Sequence, residues 1–359
     1  MTPGATPRIV FRADASLEIG TGHVMRCLTL ADMLCEWGAS CEFVCRTLPG
    51  DRIDEIRRRG FDVRTGDDPR LGGGLRADWL VVDHYGLDRD WEQSLRSAAN
   101  RIMVIDDLAD RPHDCDLLLD QNLGSTPEDY DTLVPLSCEL LCGPKFALLR
   151  PEFARLRANA LERHQARCAE SPIMRILVSM GGVDRDNATG QVLEVLGAAE
   201  LAGEVEVTVV MGAAAPWIGQ VRVQAEALPF PVEVAVDVAD MAARMAASDF
   251  CIGAAGSTSW ERCCMGLPSA LVVLADNQAK LCRELVGASA AFALGGPEEV
   301  AATLPPVLDT IRAEPQRLAD MSAAAAAICD GLGTRRVADR LLVAQGGRDA
   351  PASGTWRRD

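Results

Sequence analysis

Two glycines and a histidine, Gly20-Thr21-Gly22-His23, lie between a predicted strand and the helix that follows it. The glycines permit a tight turn in which the backbone can approach a ligand. His23 then falls in the first helical turn, where the positive end of the helix dipole disfavours an imidazolium ion. A neutral histidine can accept a proton from water, so we predict that His23 is a general base. Asp14, in the same loop, is a candidate for orienting its ring.

The residues alone also allow the alternative that His23 has only a structural role, in capping the helix or in packing. The loop also fails the dinucleotide-binding fingerprint, whose third glycine would fall at Met25, so NAD binding has little support.

Polar residues also follow two apolar strands further along the first half. The segment DHYG at 83–86 ends one strand, and its Tyr85 could hydrogen-bond a sugar or a reacting water; a turn in which Tyr85 only packs stays open. Asp106 and Asp107 follow the next strand. Paired carboxylates suggest metal or acid–base chemistry, but no third acidic ligand lies nearby, so turn and capping roles are favoured.

The segment GAAGSTSWE at 253–261 leads from a strand into the N-terminus of a helix. Ser257 and Thr258 can offer hydroxyl and N–H groups to phosphate oxygens, and the helix dipole favours that charge. Glu261 lies one turn after Ser257 on the same face, where it can accept hydrogen bonds from both ribose hydroxyls. The alternative is a capping box, for which the spacing of four residues is slightly long.

Two further segments follow strands of the second half. Gly181 and Gly182 can present bare backbone N–H groups to a diphosphate, although two glycines also serve ordinary turns. In the segment Asp276-Asn277-Gln278, a side-chain amide could bind sugar or phosphate, and an N-cap by Asp276 or Asn277 is the alternative.

Apolar strands alternate with amphipathic helices along nearly the whole chain, which predicts an α/β fold with parallel sheets covered on both faces. The predicted strands are 8–12, 41–45, 61–64, 79–83, 102–106, 117–119, 173–180, 205–211, 232–236, 249–253 and 270–274. The predicted helices are 23–37, 51–60, 191–201, 238–247, 257–265 and 278–285. We therefore expect two Rossmann-like domains facing a cleft: residues 1–150, a helical connector 151–172, residues 173–345, and a flexible tail 346–359. Ligands bind at the carboxyl ends of such strands.

Composition narrows the class of protein. The 359 residues are 48% hydrophobic and carry a net charge of −16, which argues against a broad nucleic-acid surface but not against one small anion site. No apolar run reaches the roughly 18 residues of a membrane span, and no secretory segment is apparent. The 13 cysteines show no CxxC or zinc-type spacing, so we expect reduced thiols in a cytoplasmic protein.

Together these motifs resemble a known family. The two halves resemble the GT-B architecture of MurG-type transferases, and GAAGSTSWERCCMGLP resembles their UDP-binding helix. The blocks FRADASLEIGTGHVMRCLTLA, VVDHYGLD, CGPKFALLRPEF, SMGGVD and LADNQ resemble the PseG family of hydrolases, over roughly residues 8–290. That family cleaves UDP-2,4-diacetamido-2,4,6-trideoxy-β-L-altropyranose to UDP and the free sugar in pseudaminic acid biosynthesis, which serves flagellin glycosylation.

The resemblance implies a role for each matching residue. His23 is the base, Tyr85 and Asn277 lie near the water or sugar, and Glu261 binds the ribose. Residues 238–241, ending at Met241, line the uracil. The expected diphosphate and substrate contacts are Gly20, Gly22, Gly181, Gly182, Ser257, Thr258 and Gln278. The resemblance further implies cleavage of the glycosidic C–O bond with inversion, without metal or cofactor.

Two other functions remain as alternatives. One is a UDP-sugar glycosyltransferase with an acceptor other than water, and the other is a nucleotide-sugar binding protein without turnover. Because His23 and the UDP site fall in different halves, catalysis should require domain closure. The sequence defines neither the stereochemistry of the sugar nor the oligomeric state.

Overall fold

The computed structural model describes residues 6–66, 76–167, 174–199, 201, 203 and 205–343. Within them the chain forms two α/β units, each built on a parallel sheet, and the predicted fold class is confirmed. The predicted tail 346–359 lies outside the described residues. No helix among the described residues has the length and hydropathy of a membrane span.

The first sheet has seven strands in the order β3-β2-β1-β4-β5-β6-β7. Its elements are β1 Arg8–Ala13, α1 Gly22–Glu36, β2 Ser40–Cys45, α2 Ile53–Arg58, β3 Asp62–Thr65, β4 Ala77–Asp83, α3 Arg89–Ser94, β5 Ala99–Ile105, β6 Leu117–Asp120 and β7 Glu139–Cys142. The central strands are apolar throughout because helices cover both faces of the sheet, which is typical of parallel sheets.

The second sheet has six strands in the order β10-β9-β8-β11-β12-β13. Its elements are α4 Pro151–Arg167, β8 Met174–Ser179, α5 Ala188–Ala198, β9 Val205–Met211, α6 Ile218–Glu226, β10 Val232–Val236, α7 Met241–Ala247, β11 Phe250–Ala254, α8 Thr258–Met265, β12 Ser269–Val272, α9 Gln278–Gly287, β13 Ala291–Gly295, α10 Val300–Ala313, α11 Pro315–Ile328 and α12 Gly333–Val343. The helix α4 fills the described part of the predicted connector and packs against α7, α8 and α11.

The strand orders fix where a ligand can enter. In the first sheet the order reverses between β1 and β4, and in the second between β8 and β11. Such switch points open a crevice at the carboxyl ends of the strands. His23 lies in the first turn of α1, which follows β1, and Tyr85 lies in the loop after β4. The loops after β8 and β11 carry Gly182 and Ser257. The topology therefore places the sequence motifs at both switch points.

The last helix crosses back to the first domain, which corrects the predicted second domain of 173–345. Val337 and Leu341 of α12 are fully buried in the same apolar cluster as β1 and α1. The indole Nε1 of Trp79 donates a hydrogen bond to the carbonyl of Leu341 over 2.8 Å. Structurally, α12 belongs to the first domain.

Two helix starts differ by three residues from the sequence expectation. The helix α5 begins at Ala188 rather than 191, because the side chain of Asn187 accepts the N–H of Gly190 at 3.1 Å and caps it early. The helix α7 begins at Met241 rather than 238, which leaves residues 237–240 as an open loop after β10. This loop takes part in the cavity described below.

Candidate active site

His23 is held by a buried carboxylate at the end of β4. Its Nδ1 lies 2.6 Å from Oδ1 of Asp83, whose side chain is fully buried. An ionised carboxylate only accepts hydrogen bonds, so Nδ1 must carry the proton and donate it. The lone pair of the neutral ring is then on Nε2, and no hydrogen bond among the described residues occupies that atom. This is the tautomer that a general base requires.

Arg26 keeps Asp83 ionised. Its Nε donates to Oδ2 and its Nη2 to Oδ1, each over 2.6 Å, in a two-pronged pair one helical turn after His23. Burial alone would raise the pKa of Asp83, but the charge of Arg26 and the hydrogen bonds donated by Arg26 and His23 outweigh it and hold that pKa well below its usual range. Asp83 therefore remains an anion that accepts the hydrogen bond from Nδ1 of His23.

The prediction that Asp14 orients the His23 ring is wrong. Asp14 forms a buried pair with Arg12, at 2.7 and 2.9 Å, and accepts the Nε of Arg46 at 2.7 Å. Its Oδ2 also lies 3.2 Å from Nε2 of His84. Burial raises the pKa of Asp14, yet these donors outweigh it and hold the pKa far below normal. Asp14 therefore braces the strand ends beside the site.

Tyr85 and Asn277 meet across the domain interface. The Tyr85 ring packs edge-on against the His23 ring, with the centroids 4.6 Å apart. The Tyr85 hydroxyl donates to Asp107 over 3.2 Å and accepts the side-chain N–H of Asn277 over 3.3 Å. Burial is the first cause that raises the pKa of Tyr85, so the phenol stays protonated. Asn277, at the start of α9, makes no cap with its side chain, which contradicts the N-cap alternative.

Glycines bring the two domains into contact around the site. A methyl group added to Gly182 would lie 3.3 Å from Oγ1 of Thr21, and one added to Gly22 would lie 3.6 Å from Oγ of Ser257. The N-terminus of α1 in one domain thus faces that of α8 in the other. Both helix ends offer unpaired N–H groups and positive potential to an anion between them.

The loop that enters α8 keeps its hydroxyl groups available. The Ser257 side chain makes no capping hydrogen bond, so the capping-box alternative does not hold. Beneath the loop, buried Arg262 donates to Oγ1 of Thr258 at 3.1 Å and to the carbonyl of Ala254 at 2.8 Å. Thr258 can still donate its hydroxyl proton to a phosphate oxygen.

The remaining predicted glycines and Gln278 shape the surrounding loops. Gly20 and Gly181 have φ values of +81° and +84°, which a larger side chain would resist. The Gln278 Oε1 accepts the N–H of Leu274 at 3.0 Å and so braces the turn that carries Asn277. Its amide nitrogen faces Gly256, in the loop before α8.

A cavity of about 490 Å³ lies between the domains, a size typical of small-molecule sites. From the second domain it is lined by the loop 237–239, by Met241 and by the Ser257-to-Glu261 turn of α8. Its charged lining residues are Arg26, Arg52, Arg58, Arg59, Arg150, Glu55, Asp237 and Glu261. Five arginines thus face three carboxylates in a chain whose net charge is −16, so the cleft concentrates positive charge.

Sequence patterns missed three residues of this site. Sequence patterns gave Asp83 no role and did not indicate Arg26. Their contacts join distant positions, since Asp83 is 60 residues from His23 and 57 residues from Arg26. Arg150 is the last residue of the predicted first domain, and it also lines the cavity. The one sequence feature that could have indicated Asp83 is that β4 ends in an aspartate at the switch point.

Among the described residues, no group of three or more His, Cys, Asp or Glu side chains has a metal-binding arrangement.

The fold and cleft place the chain in the GT-B structural class. MurG of Acinetobacter baumannii superimposes with a TM-score of 0.66 at 15% identity, covering 94% of this chain and 100% of that one. Residues 175–340 match the family described as glycosyltransferase family 28 C-terminal domain. The match covers most of the second domain.

Curated relatives share parts of the sequence. The UDP-2,4-diacetamido-2,4,6-trideoxy-β-L-altropyranose hydrolase of Campylobacter jejuni is 32% identical over 189 residues, 52% of this chain and 64% of that protein. A UDP-N-acetylglucosamine–N-acetylmuramyl-(pentapeptide) pyrophosphoryl-undecaprenol N-acetylglucosamine transferase of Xanthomonas euvesicatoria is 35% identical over 148 residues, 39% of this chain and 34% of that protein. The chain thus spans less than two thirds of either relative's length. Both resemblances expected from the motifs are confirmed as similarities.

Proposed function

We propose that this protein hydrolyses UDP-2,4-diacetamido-2,4,6-trideoxy-β-L-altropyranose to UDP and free sugar in the cytoplasm, as a step of pseudaminic acid biosynthesis. The observation that carries the proposal is the buried Asp83–His23 pair at the domain interface, in which no described residue forms a hydrogen bond with Nε2 of the ring. A histidine fixed in this tautomer can activate one water molecule. The named activity of the Campylobacter relative supplies the substrate.

The nucleotide half of the substrate fits the second domain. The loop 237–239 and Met241 would contact the uracil, and Glu261 would accept the ribose hydroxyls. Ser257, Thr258 and the backbone at Gly182 would hold the diphosphate between the facing N-termini of α1 and α8. Each of these groups lines or borders the cavity between the domains. UDP would therefore lie with its β-phosphate directed toward the His23 side.

The proposed reaction needs one proton transfer to the protein. The water oxygen attacks the anomeric carbon while Nε2 of His23 takes a proton from it. The bond from that carbon to the β-phosphate oxygen breaks, and its electron pair leaves with UDP. Asp83 stabilises the imidazolium that forms, as a carboxylate does for a catalytic histidine elsewhere. A positioned base of this kind is typically worth about 10²–10⁴-fold in rate.

The leaving group needs charge stabilisation rather than a strong acid. Negative charge grows on the diphosphate as the C–O bond breaks, and preorganised N–H groups can stabilise it by several kcal/mol. Two helix N-termini and the arginines of the cleft supply such groups without requiring a metal ion. Attack opposite to the departing UDP inverts the anomeric centre.

A UDP-sugar transferase is the second candidate, and the family 28 match of the second domain favours it. An assay with water as the only acceptor separates the two functions. Incubation with the diacetamido UDP-sugar should release UDP and free sugar. The anomeric proton of the product, observed by NMR, measures this release. Intact substrate that turns over only after an alcohol acceptor is added would support the transferase and reject the hydrolase.

A further inference from the structure

Arg150 lies where the two domains join and touches both sides of the cavity. It stands between the first domain and α4, and it lines the cavity. Its Nη1 reaches the carbonyl of Ala239 at 3.4 Å, in the loop proposed to contact the uracil. Nη1 also pairs with Glu152 at 3.1 Å, and the guanidinium lies over the ring of Phe153 at 5.4 Å. These contacts fix the guanidinium at the rim of the nucleotide site.

Glu261 faces the same guanidinium but forms no hydrogen bond with it. Nη2 of Arg150 is 3.9 Å from Oε1 of Glu261, close enough for attraction between charges but too long for a hydrogen bond. Among the described residues no hydrogen bond ends on the Glu261 carboxylate, although 17% of its side chain is exposed, into the cavity that it lines. Both carboxylate oxygens therefore remain free to accept protons from ligand hydroxyls.

We infer that Arg150 is a positioning residue of the nucleotide site, which keeps the Glu261 carboxylate charged and directed at the ribose of bound UDP. The inference rests on the proposed UDP site and adds a residue to it. An ionised carboxylate accepts hydrogen bonds from two hydroxyl groups through both of its oxygens. A protonated carboxyl group binds them more weakly, because one of its oxygens carries a proton and acts as a donor.

Three charged groups act on Glu261, and their effects differ. Burial, the largest effect, raises the pKa of Glu261, Arg150 and then Arg262 lower it, and Glu152 raises it; the pKa that results is about 7. Arg262 is held beneath the loop by Ser259 and Ala254, so its position does not depend on the domain interface. Arg150 is the cation that the junction of the domains brings to Glu261. Removing it must raise the pKa of Glu261 further.

The sign of the effect on binding follows. Ribose hydroxyls stabilise charged Glu261, so UDP should bind more weakly as the pH falls through about 7, where Glu261 takes up a proton. Without Arg150 this loss should begin at a higher pH. The terminal phosphate of UDP also titrates, near pH 6. Its contribution must be measured separately.

The test is calorimetric titration of UDP into the full-length protein between about pH 6 and pH 9. The test variants are Arg150→Met and Arg150→Lys. Glu261→Gln measures the pH dependence that comes from the titration of UDP itself, and Arg155→Met is a matched control. Arg155 is an exposed arginine of α4, the helix that begins directly after Arg150, and it does not line the 490 Å³ cavity. Arg150→Met should weaken UDP binding about fivefold at about pH 7, as for a one-unit rise in the pKa of Glu261, and should match the wild type near pH 9. Arg150→Lys and Arg155→Met should follow the wild-type profile.

Either of two results would overturn the inference. One is an unchanged profile for Arg150→Met, and the other is a loss by the same factor at every pH, which would indicate direct contact with UDP or a structural defect. Absence of UDP binding by the wild type, or equal profiles for wild type and Glu261→Gln, would instead contradict the proposed UDP site itself.

Discussion

At the scale of single residues, the tautomer of one histidine decides what the site can do. Asp83 is buried, ionised and 2.6 Å from Nδ1, which leaves the lone pair on Nε2, the atom that we propose as the base. A helix dipole alone would favour a neutral ring in either tautomer. The carboxylate selects one of them, so the residue that fixes the tautomer ends strand β4, whereas the histidine itself is in helix α1.

Asp83→Asn should separate tautomer from binding. The amide can donate to Nδ1, which favours the tautomer with its proton on Nε2, and we expect kcat to fall by about 10²–10⁴-fold. Buried Arg26 loses its charge partner, so stability should also fall, by about 3–5 kcal/mol. UDP affinity should hold within about twofold, since Asp83 itself does not line the cavity proposed to hold UDP. Kinetics, thermal unfolding and calorimetry measure the three quantities.

Asp14→Asn is the matched control, because Asp14 is an equally buried carboxylate paired with arginine but not with His23. It should lose stability and keep most of kcat relative to Asp83→Asn. Equal losses of kcat in both variants would show that stability, and not the tautomer, governs the rate.

At the scale of elements, the two helix N-termini were predictable and their partners were not. Apolar strands ending in small residues located α1 and α8 to within one residue, because that pattern is local. The contact of His23 with Asp83 joins positions 60 residues apart, and only the order β1 beside β4 brings them together. Asp14 is closer in sequence but is taken by Arg12, which sequence spacing could not indicate.

Ser257→Ala should weaken UDP binding without affecting folding. Its hydroxyl makes no capping bond, so its loss removes only the proposed phosphate contact, worth about 0.5–1.5 kcal/mol, or roughly two- to tenfold in affinity. Asn187→Ala is the converse control, because Asn187 does cap α5 and should lose about 1 kcal/mol of stability with UDP affinity intact. A drop in melting temperature for Ser257→Ala with unchanged affinity would contradict the assignment.

The helix α12 is a further element whose place no local pattern defined. Its apolar face could cover either domain, and only the structure shows Leu341 fully buried against the first. Leu341→Ala should therefore destabilise the protein by about 2–5 kcal/mol. Leu332→Ala, at a position 44% exposed, should change it by less than about 0.5 kcal/mol. Denaturant unfolding of both variants measures the difference, and similar small values would refute the packing of α12.

At the scale of the whole molecule, the proposed base and the proposed nucleotide site are in different domains, so we expect catalysis to require that the domains close on the substrate. Asn277 of the second domain donates to Tyr85 of the first, and the Tyr85 ring packs on His23. The interdomain hydrogen bond therefore lies directly beside the proposed base. Sequence comparison within either half alone could not reveal this contact.

A double-mutant cycle with Tyr85→Phe and Asn277→Ala tests that coupling. If the two groups act as one contact, the double variant should lose no more kcat/KM than the worse single variant, with a coupling energy of about 0.5–1.5 kcal/mol. UDP affinity should change little in any of the three. Additive losses within about 0.3 kcal/mol would mean that the residues act independently.

The most direct test of the proposed reaction is turnover of the diacetamido UDP-sugar in ¹⁸O-labelled water by the wild type and His23→Ala. The account predicts one ¹⁸O atom in the anomeric hydroxyl of the released sugar, none in UDP, and a rate for His23→Ala lower by about 10²–10⁴-fold. Label in the phosphate of UDP, or an undiminished rate in the variant, would contradict attack at the anomeric carbon by water activated at His23.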